Sequence, residues 1–464
     1  MLGAVVLIIY AVLMLTATLI FTKQAQSKES FHVADRNIGT GIAALSIAAT
    51  WIWAPSLFTS AEKAYVNGIP GIFWFLVPNI LCLIIFIPFA KRIRQKCPYG
   101  ITLTGYMTDV YQSAKVKGVY TFQLGALAVL STAVQLLAGG KLLATVLGIP
   151  LWVVTVILAA IAYAYARFSG LKASVITDVI QLGIILIGCG LLVPWTVSKA
   201  GGGSTVIKGL YAISGGYDSL FSKSGLEVFL GFGLPTAIGL LSGPFGDQCF
   251  WQRAFAIRKN SIGRAFLGGA LIFGLVPLSL SMIGFAAAGS GFIAVDPSMV
   301  NMEFILAKLP SWTMAPFLMM ILSGLLSTVD SNLCAAASMT TDWQITGTLG
   351  NSNNIKASRR VMLILLGVSI LIANIPGLTV THLFLFYGTL RASTLFPTVL
   401  TLLDKKLSAQ GVFAGIVASL CVGLPVFAIG NIWNMPIWKT AGSLITVLLS
   451  GIVALLLSRK GAKA

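Results

Sequence analysis

The stretch Ser323–Asn332, SGLLSTVDSN, sets Ser327, Thr328 and Ser331 at i, i+1 and i+4 of an apolar helical run. Ser327 and Ser331 therefore share one helix face, with Thr328 beside them. Hydroxyls combined with backbone carbonyls are hard oxygen ligands, suited to an alkali cation rather than to a transition metal. A second stretch can supply the carbonyls. Residues 42–61, IAALSIAATWIWAPSLFTSA, are long enough to cross a bilayer but carry Pro55 in the middle, with Trp51, Trp53, Ser46, Thr50 and Ser56 around it. Proline lacks an N–H and clashes with the carbonyl one turn back, so carbonyls near Leu45, Ala48 and Trp51 are expected to lose partners. At membrane depth such a group is costly unless something binds it, and a cation is one such partner. Alone, each stretch also fits plain packing: a Pro-kinked helix in one case, hydroxyls bonded back to their own helix in the other. Together they favour an ion site.

The 13 acidic residues narrow the choice further. Most lie in loops or at helix ends, but Asp178, Asp247 and Asp330 lie close to or within apolar spans. An intramembrane carboxylate is costly and marks function by default. Asp247 stands beside Arg253, which points as much to a structural ion pair. His32 and His382 are too few and too far apart to suggest a metal site. The six cysteines fall singly, with no CxxC or Cys/His grouping, so disulfides and structural zinc are not expected.

The elements that must position these groups are membrane helices. Of 464 residues, 57% are hydrophobic and 9% charged, and mean hydropathy is +0.92, whereas about a quarter of a soluble domain is charged. The N-terminus, MLGAVVLIIYAVLMLTATLIF, has no basic n-region or small-residue cleavage site and reads as a span rather than a signal peptide. Spanning-length apolar runs fall at 2–21, 42–61, 70–90, 119–147, 150–167, 174–196, 226–249, 265–288, 313–338, 360–376, 378–402, 410–430 and 440–458, thirteen in all. With the N-terminus outside and the C-terminus cytoplasmic, most of the 31 basic residues fall inside. The inner clusters are Lys23, Lys28 and Arg36; Lys91 to Lys96; Lys115 and Lys117; Arg167 and Lys172; Arg253 to Arg264; Lys356 to Arg360; Lys405 and Lys406; and Arg459 to Lys463. That distribution assigns the net charge of +18 to topology rather than to nucleic acid. Lys141 and Arg391 fall within spans. The whole chain, 1–464, reads as one all-α integral membrane domain of the cell (plasma or inner) membrane.

A symmetry follows. Five spans after 42–61, the run 226–249 is interrupted by Pro235 and by Ser242-Gly243-Pro244. Paired Gly/Pro-interrupted spans at matching places in two halves point to a transporter site. A five-helix repeat is odd, so its second copy must be inverted: 42–196 is the first repeat, 226–402 the second, 2–21 an extra N-terminal helix and 410–458 two C-terminal ones.

Three further stretches resemble a known family. FSGLKASVITDVIQLGIILIG (Phe168–Gly188), LLSTVDSNLCAAASMTTDW (Leu325–Trp343) and DQCFWQRAFAIRKNSIGRAF (Asp247–Phe266) are similar to landmark segments of the sodium:solute symporter family. Ser169 stands where that family has a glycine. The resemblance implies a leucine-transporter-like core of five plus five helices. It also implies a sodium site formed by the carbonyls of Ala48, Trp51 and Gly324 and the hydroxyls of Ser327 and Thr328, with a possible second sodium at Asp178 and Ser331. WIWAPSL (Trp51–Leu57), GIPGIFWF (Gly68–Phe75) and CPYGITL (Cys97–Leu103) are similar to the urea-transporter branch, from which Pro55 and Gly100 depart.

The expected function is sodium-coupled import of a small polar solute by alternating access, urea or a similar neutral or zwitterionic molecule. The expected solute cavity is lined by Trp51, Trp53, Gln135, Ser242 and Tyr387, without an arginine or lysine clamp for a carboxylate. A passive or proton-coupled carrier of the same fold is the alternative, as is a symporter for proline, pantothenate, a sugar or a carboxylate. An enzyme is not expected: there is no His-carboxylate spacing, GxSxG or P-loop. A sensor would need a domain after Lys463. The expected partners are the solute, sodium and membrane lipid, with no nucleic acid.

Overall fold

The computed structural model describes residues 2–21, 27–343 and 351–461. Lys23 and Lys463 of the basic clusters, and 344–350 of the loop before Lys356, lie outside the described residues. The described chain is helical throughout except for loops and one isolated β-bridge, Ile38 to Ile257. Eleven of its helices are long and apolar enough to cross a membrane. The other two expected spans differ. One is broken, with a helix of only 12 residues, Thr40–Trp51. The other, Asn351–Ala373, carries Lys356, Arg359 and Arg360 in its first half.

The first broken helix interrupts at Ile52 (ψ 88) and Trp53 (ψ 177), and resumes at Ala54–Leu57. Pro55 thus opens the second half, a position where its missing N–H costs nothing. The chain then continues as Thr59–Lys96, bent at Gly68 (φ 57, ψ −143). A side chain there would meet the Leu210 carbonyl oxygen at 2.4 Å, so glycine is required twice over.

The second broken helix interrupts in one place rather than two. Lys223–Leu241 runs through Pro235, and the break spans 242–247 before Gln248–Ala256 resumes. A π-helical turn, Phe229–Gly233, precedes the proline, and the Leu230 carbonyl accepts from the Thr440 hydroxyl at 2.6 Å. Widening the turn and supplying an outside donor absorb the missing N–H without a break. A π-helical turn also recurs at Ser419–Gly423, ahead of Pro425.

Helix Ile262–Gly289 packs along the first broken helix and its continuation. A Cβ at Gly284 would fall 2.2 Å from the Ala61 carbonyl oxygen, the close approach that small residues allow between membrane helices. At the base, Ile38 N–H donates to Ala256 and Arg258 N–H donates to Ile38, tying the entry of the first broken helix to the exit of the second.

His32, on the short helix Lys28–Val33 before the first broken helix, is fully buried. Burial, then nearby Lys28, pushes its imidazole down from 6.5 to about 3. A histidine lowered in the folded state stabilises fully above pH 6.5, and that stability is lost as pH falls toward 3. His32→Leu is therefore expected to flatten the acid side of a melting-temperature profile between pH 6.5 and 4. An unchanged slope would mean that His32 is hydrated and free to protonate.

Candidate ion and solute site

Three helices each present polar groups one turn apart, and the fold brings them together. Thr40–Trp51 offers Ser46 and Thr50, Leu171–Lys199 offers Ser174 and Asp178, and Met314–Met339 offers Ser327 and Ser331. Ser327 Oγ donates to Asp178 Oδ1 at 2.5 Å, and Ser46 Oγ donates to Asp178 Oδ2 at 2.6 Å. Thr50 Oγ1 and Ser331 Oγ are 3.1 Å apart. Asp330, fully buried, accepts from Ser174 Oγ at 2.7 Å and from Thr177 Oγ1 at 3.4 Å.

The stretches expected to share a cation lie side by side. Thr328 Oγ1 donates to the carbonyls of Thr50 at 3.2 Å and Gly324 at 3.3 Å. The Ile52 carbonyl faces Gly324, 3.2 Å from where a Cβ would stand. Of the carbonyls singled out, Ala48 accepts from Ile52 N–H at 2.9 Å, while Trp51 has only a long contact of 3.4 Å from Ser56 Oγ. Pro55, four residues on, has no N–H for Trp51.

Arg253 is the residue that sequence reading placed wrongly. It does not pair with Asp247. From the second half of the second broken helix its Nη2 donates to Asp178 Oδ2 at 3.0 Å and to Ser331 Oγ at 2.9 Å, and its Nε to Ser46 Oγ at 3.2 Å. A guanidinium therefore sits among the groups expected to hold a second sodium. Asp247 lies at the mid-span break, as the N-cap of Gln248–Ala256. Its carboxylate caps Cys249 N–H at 2.9 Å and accepts from Arg391 Nη2 at 3.2 Å.

The expected solute residues separate into two groups. Trp51 and Trp53 stack at 5.2 Å, and Tyr387 lies 5.3 Å from Trp53. These three surround Arg391, whose guanidinium carbon is 4.7–5.3 Å from each ring centroid. Gln135 and Ser242 are turned to structural work instead. Gln135 Oε1 accepts the orphan N–H of Ala54 at 2.7 Å, bracing the first break. Ser242 Oγ donates to the Ile238 carbonyl at 2.7 Å, closing the helix before the second break. Gln123 Nε2 and Trp251 Nε1 satisfy the break carbonyls of Gly246 and Phe245 at 3.1 and 2.8 Å, as irregular backbone inside a membrane requires. Lys141, the other cation that the sequence places within a span, reaches the Leu378 carbonyl at 3.4 Å and lines a cavity with Asp296 and Met302. Arg391, read from the sequence as a charge within a span, thus stands among the aromatic residues expected to line the solute cavity.

Two interrupted helices meeting inside an all-helical membrane bundle are the architecture of a secondary transporter. The model of the sodium:solute symporter family matches residues 31–419, and the chain belongs to that family. A urea-proton symporter of Oryza sativa subsp. japonica is 24% identical over 92% of this chain and 66% of its own length. The chain thus spans about two thirds of that relative. A sodium/pantothenate symporter of Escherichia coli (strain K12) is 24% identical over 91% of this chain and 89% of that one. In structure, a Na+-coupled sialic acid symporter in a substrate-bound outward-open state superposes with a TM-score of 0.78 at 17% identity, covering 98% of both chains. The fold is accordingly leucine-transporter-like.

Proposed function

We propose that this member of the family is a sodium-coupled symporter that imports a small polar solute by alternating access, with urea and related small molecules the first candidates. The observation that carries the reading is the meeting of the first helix break with the hydroxyl run: Thr328 Oγ1 within reach of both the Thr50 and Gly324 carbonyls. Sodium there, held by Ala48, Trp51, Gly324, Ser327 and Thr328, would tie the first broken helix to Met314–Met339 and order the break for solute. The two units 42–196 and 226–402 would move against each other around it. The orientation that goes with this reading is N-terminus outside and C-terminus cytoplasmic in the cell membrane. One sodium entering down the membrane potential supplies about 2.3 kcal/mol per 100 mV.

Proton coupling is the second reading, supported by the name of the rice relative and by the guanidinium of Arg253 standing at the Asp178 carboxylate. Thermal stability of the purified chain across urea, proline, pantothenate, sugars and carboxylates, each in sodium or potassium, separates the two. Sodium coupling predicts stabilisation by a solute in sodium only; stabilisation in both salts would reject it. Ser327→Ala and Thr328→Ala are each expected to raise the sodium needed for half-maximal effect about tenfold, by loss of one ligand, with little change in folding. Unchanged sodium dependence in both would remove the site assignment.

A further inference from the structure

Arg391 projects from helix Val380–Ala392 into the space between the two breaks and is 1% exposed. Only one of its guanidinium nitrogens, Nη2, reaches the Asp247 carboxylate. Nε and Nη1 have no hydrogen-bond partner, and neither have Trp53 Nε1 and the Tyr387 hydroxyl. The two rings that carry those last groups pack on Arg391 itself. Four donor-bearing atoms without an acceptor in one buried cluster are exceptional, because buried polar groups are otherwise almost all satisfied. A purely structural arginine–carboxylate pair would use the fork of the guanidinium. Here Asp247 cannot offer its second oxygen freely, since Oδ1 already holds Cys249 N–H. The cluster is therefore rich in donors, walled by flat rings and supplied with a single carboxylate.

Resting on the symporter reading, we propose that Arg391 anchors the solute, and that the solute is a small planar molecule with an sp2 oxygen acceptor, an amide-type carbonyl or a carboxylate. That oxygen takes the free N–H groups of Arg391, with Trp53 Nε1 and the Tyr387 hydroxyl as further donors. Asp247 balances the guanidinium, and where the solute carries N–H groups it can accept from them. Position 391 then sets specificity, and lysine cannot replace arginine there because it lacks the planar fork.

The test uses the purified full chain with urea, acetamide, acetate and glucose as probes, read by thermal shift with and without sodium. At least one of urea, acetamide and acetate is expected to stabilise the wild type, with glucose silent. Response to urea or acetamide identifies a carbonyl solute, and response to acetate alone a carboxylate; either supports the proposal. Arg391→Lys is expected to weaken that response about tenfold or more while keeping the shift given by sodium alone, which reports an intact fold. The double variant Asp247→Asn/Arg391→Gln, which leaves no unpaired buried charge, is expected to lose the response likewise. Undiminished probe binding in Arg391→Lys, or a wild type stabilised by none of the three oxygen-acceptor probes, would overturn the proposal. Probe binding that needs Arg391 but not sodium would reject sodium coupling and leave the anchor standing.

Discussion

Arg253→Gln is expected to destabilise the protein by about 3–5 kcal/mol, because it strands the carboxylate of Asp178 in the bundle interior. Both side chains are at most 1% exposed and pair at 3.0 Å. The gain from such a pair is small, since desolvation offsets most of it; removing one partner is what costs. Asp178→Asn/Arg253→Gln is accordingly expected to recover most of the lost stability, which thermal unfolding in detergent would measure. The single variant also carries information about ions. With the guanidinium gone, Asp178 and Ser331 face each other without a cation, so sodium is expected to raise the melting temperature of Arg253→Gln more than that of the wild type. Equal sodium shifts in both would mean that this pocket takes no second ion even when opened. A variant that melts like the wild type would show that the pair contributes nothing.

Gly246→Val is expected to abolish most solute uptake in proteoliposomes and to cost about 1–3 kcal/mol of stability through overpacking. A Cβ at Gly246 would lie 2.9 Å from Arg391 Cα and 3.0 Å from its Cβ and carbonyl oxygen. Two of these are backbone atoms and the third, Cβ, is fixed to the backbone, so no flexible side-chain end can swing aside. The helix carrying Arg391 must therefore retreat from the second break, and the guanidinium must leave the rings of Trp51, Trp53 and Tyr387. Gly41→Ala serves as the control, since nothing lies within 4 Å of the Cβ it would add. Full uptake by Gly246→Val would show that the contact is slack and that the position of Arg391 does not matter to transport.

What could be read from the chain alone was whatever has a local cause. Bilayer thickness imposes a run length on every span, so hydropathy located the helices to within a few residues at most ends. Proline and glycine act on their own backbone, so the breaks near Pro55 and at Ser242–Pro244 were visible. Pro235 shows the limit of that reasoning: whether a proline breaks a helix depends on whether a wider turn and an outside donor, here Thr440, take up the loss. The hydroxyl and carboxyl residues Ser327, Thr328, Ser331 and Asp178 were legible because polar groups in an apolar run must have a reason to be there.

Tertiary structure decided the partners. Arg253 stands six residues from Asp247 in the chain, and proximity in sequence favoured that pair. The fold instead joins Arg253 to Asp178, 75 residues away, and Asp247 to Arg391, 144 residues away. Gln135 and Ser242 were expected to line the solute cavity, but whether a side chain lines a cavity or caps a backbone group depends on where the neighbouring helix leaves its orphan N–H or C=O. Arg391 was visible as a charge inside a span, without its surroundings. Only the crossing of the two broken helices shows that Trp51, Trp53, Tyr387 and Asp247 close around it. The reason is physical: burial energy is local to a residue and can be read along a chain, whereas the pairing of buried charges depends on which helices the bundle sets face to face.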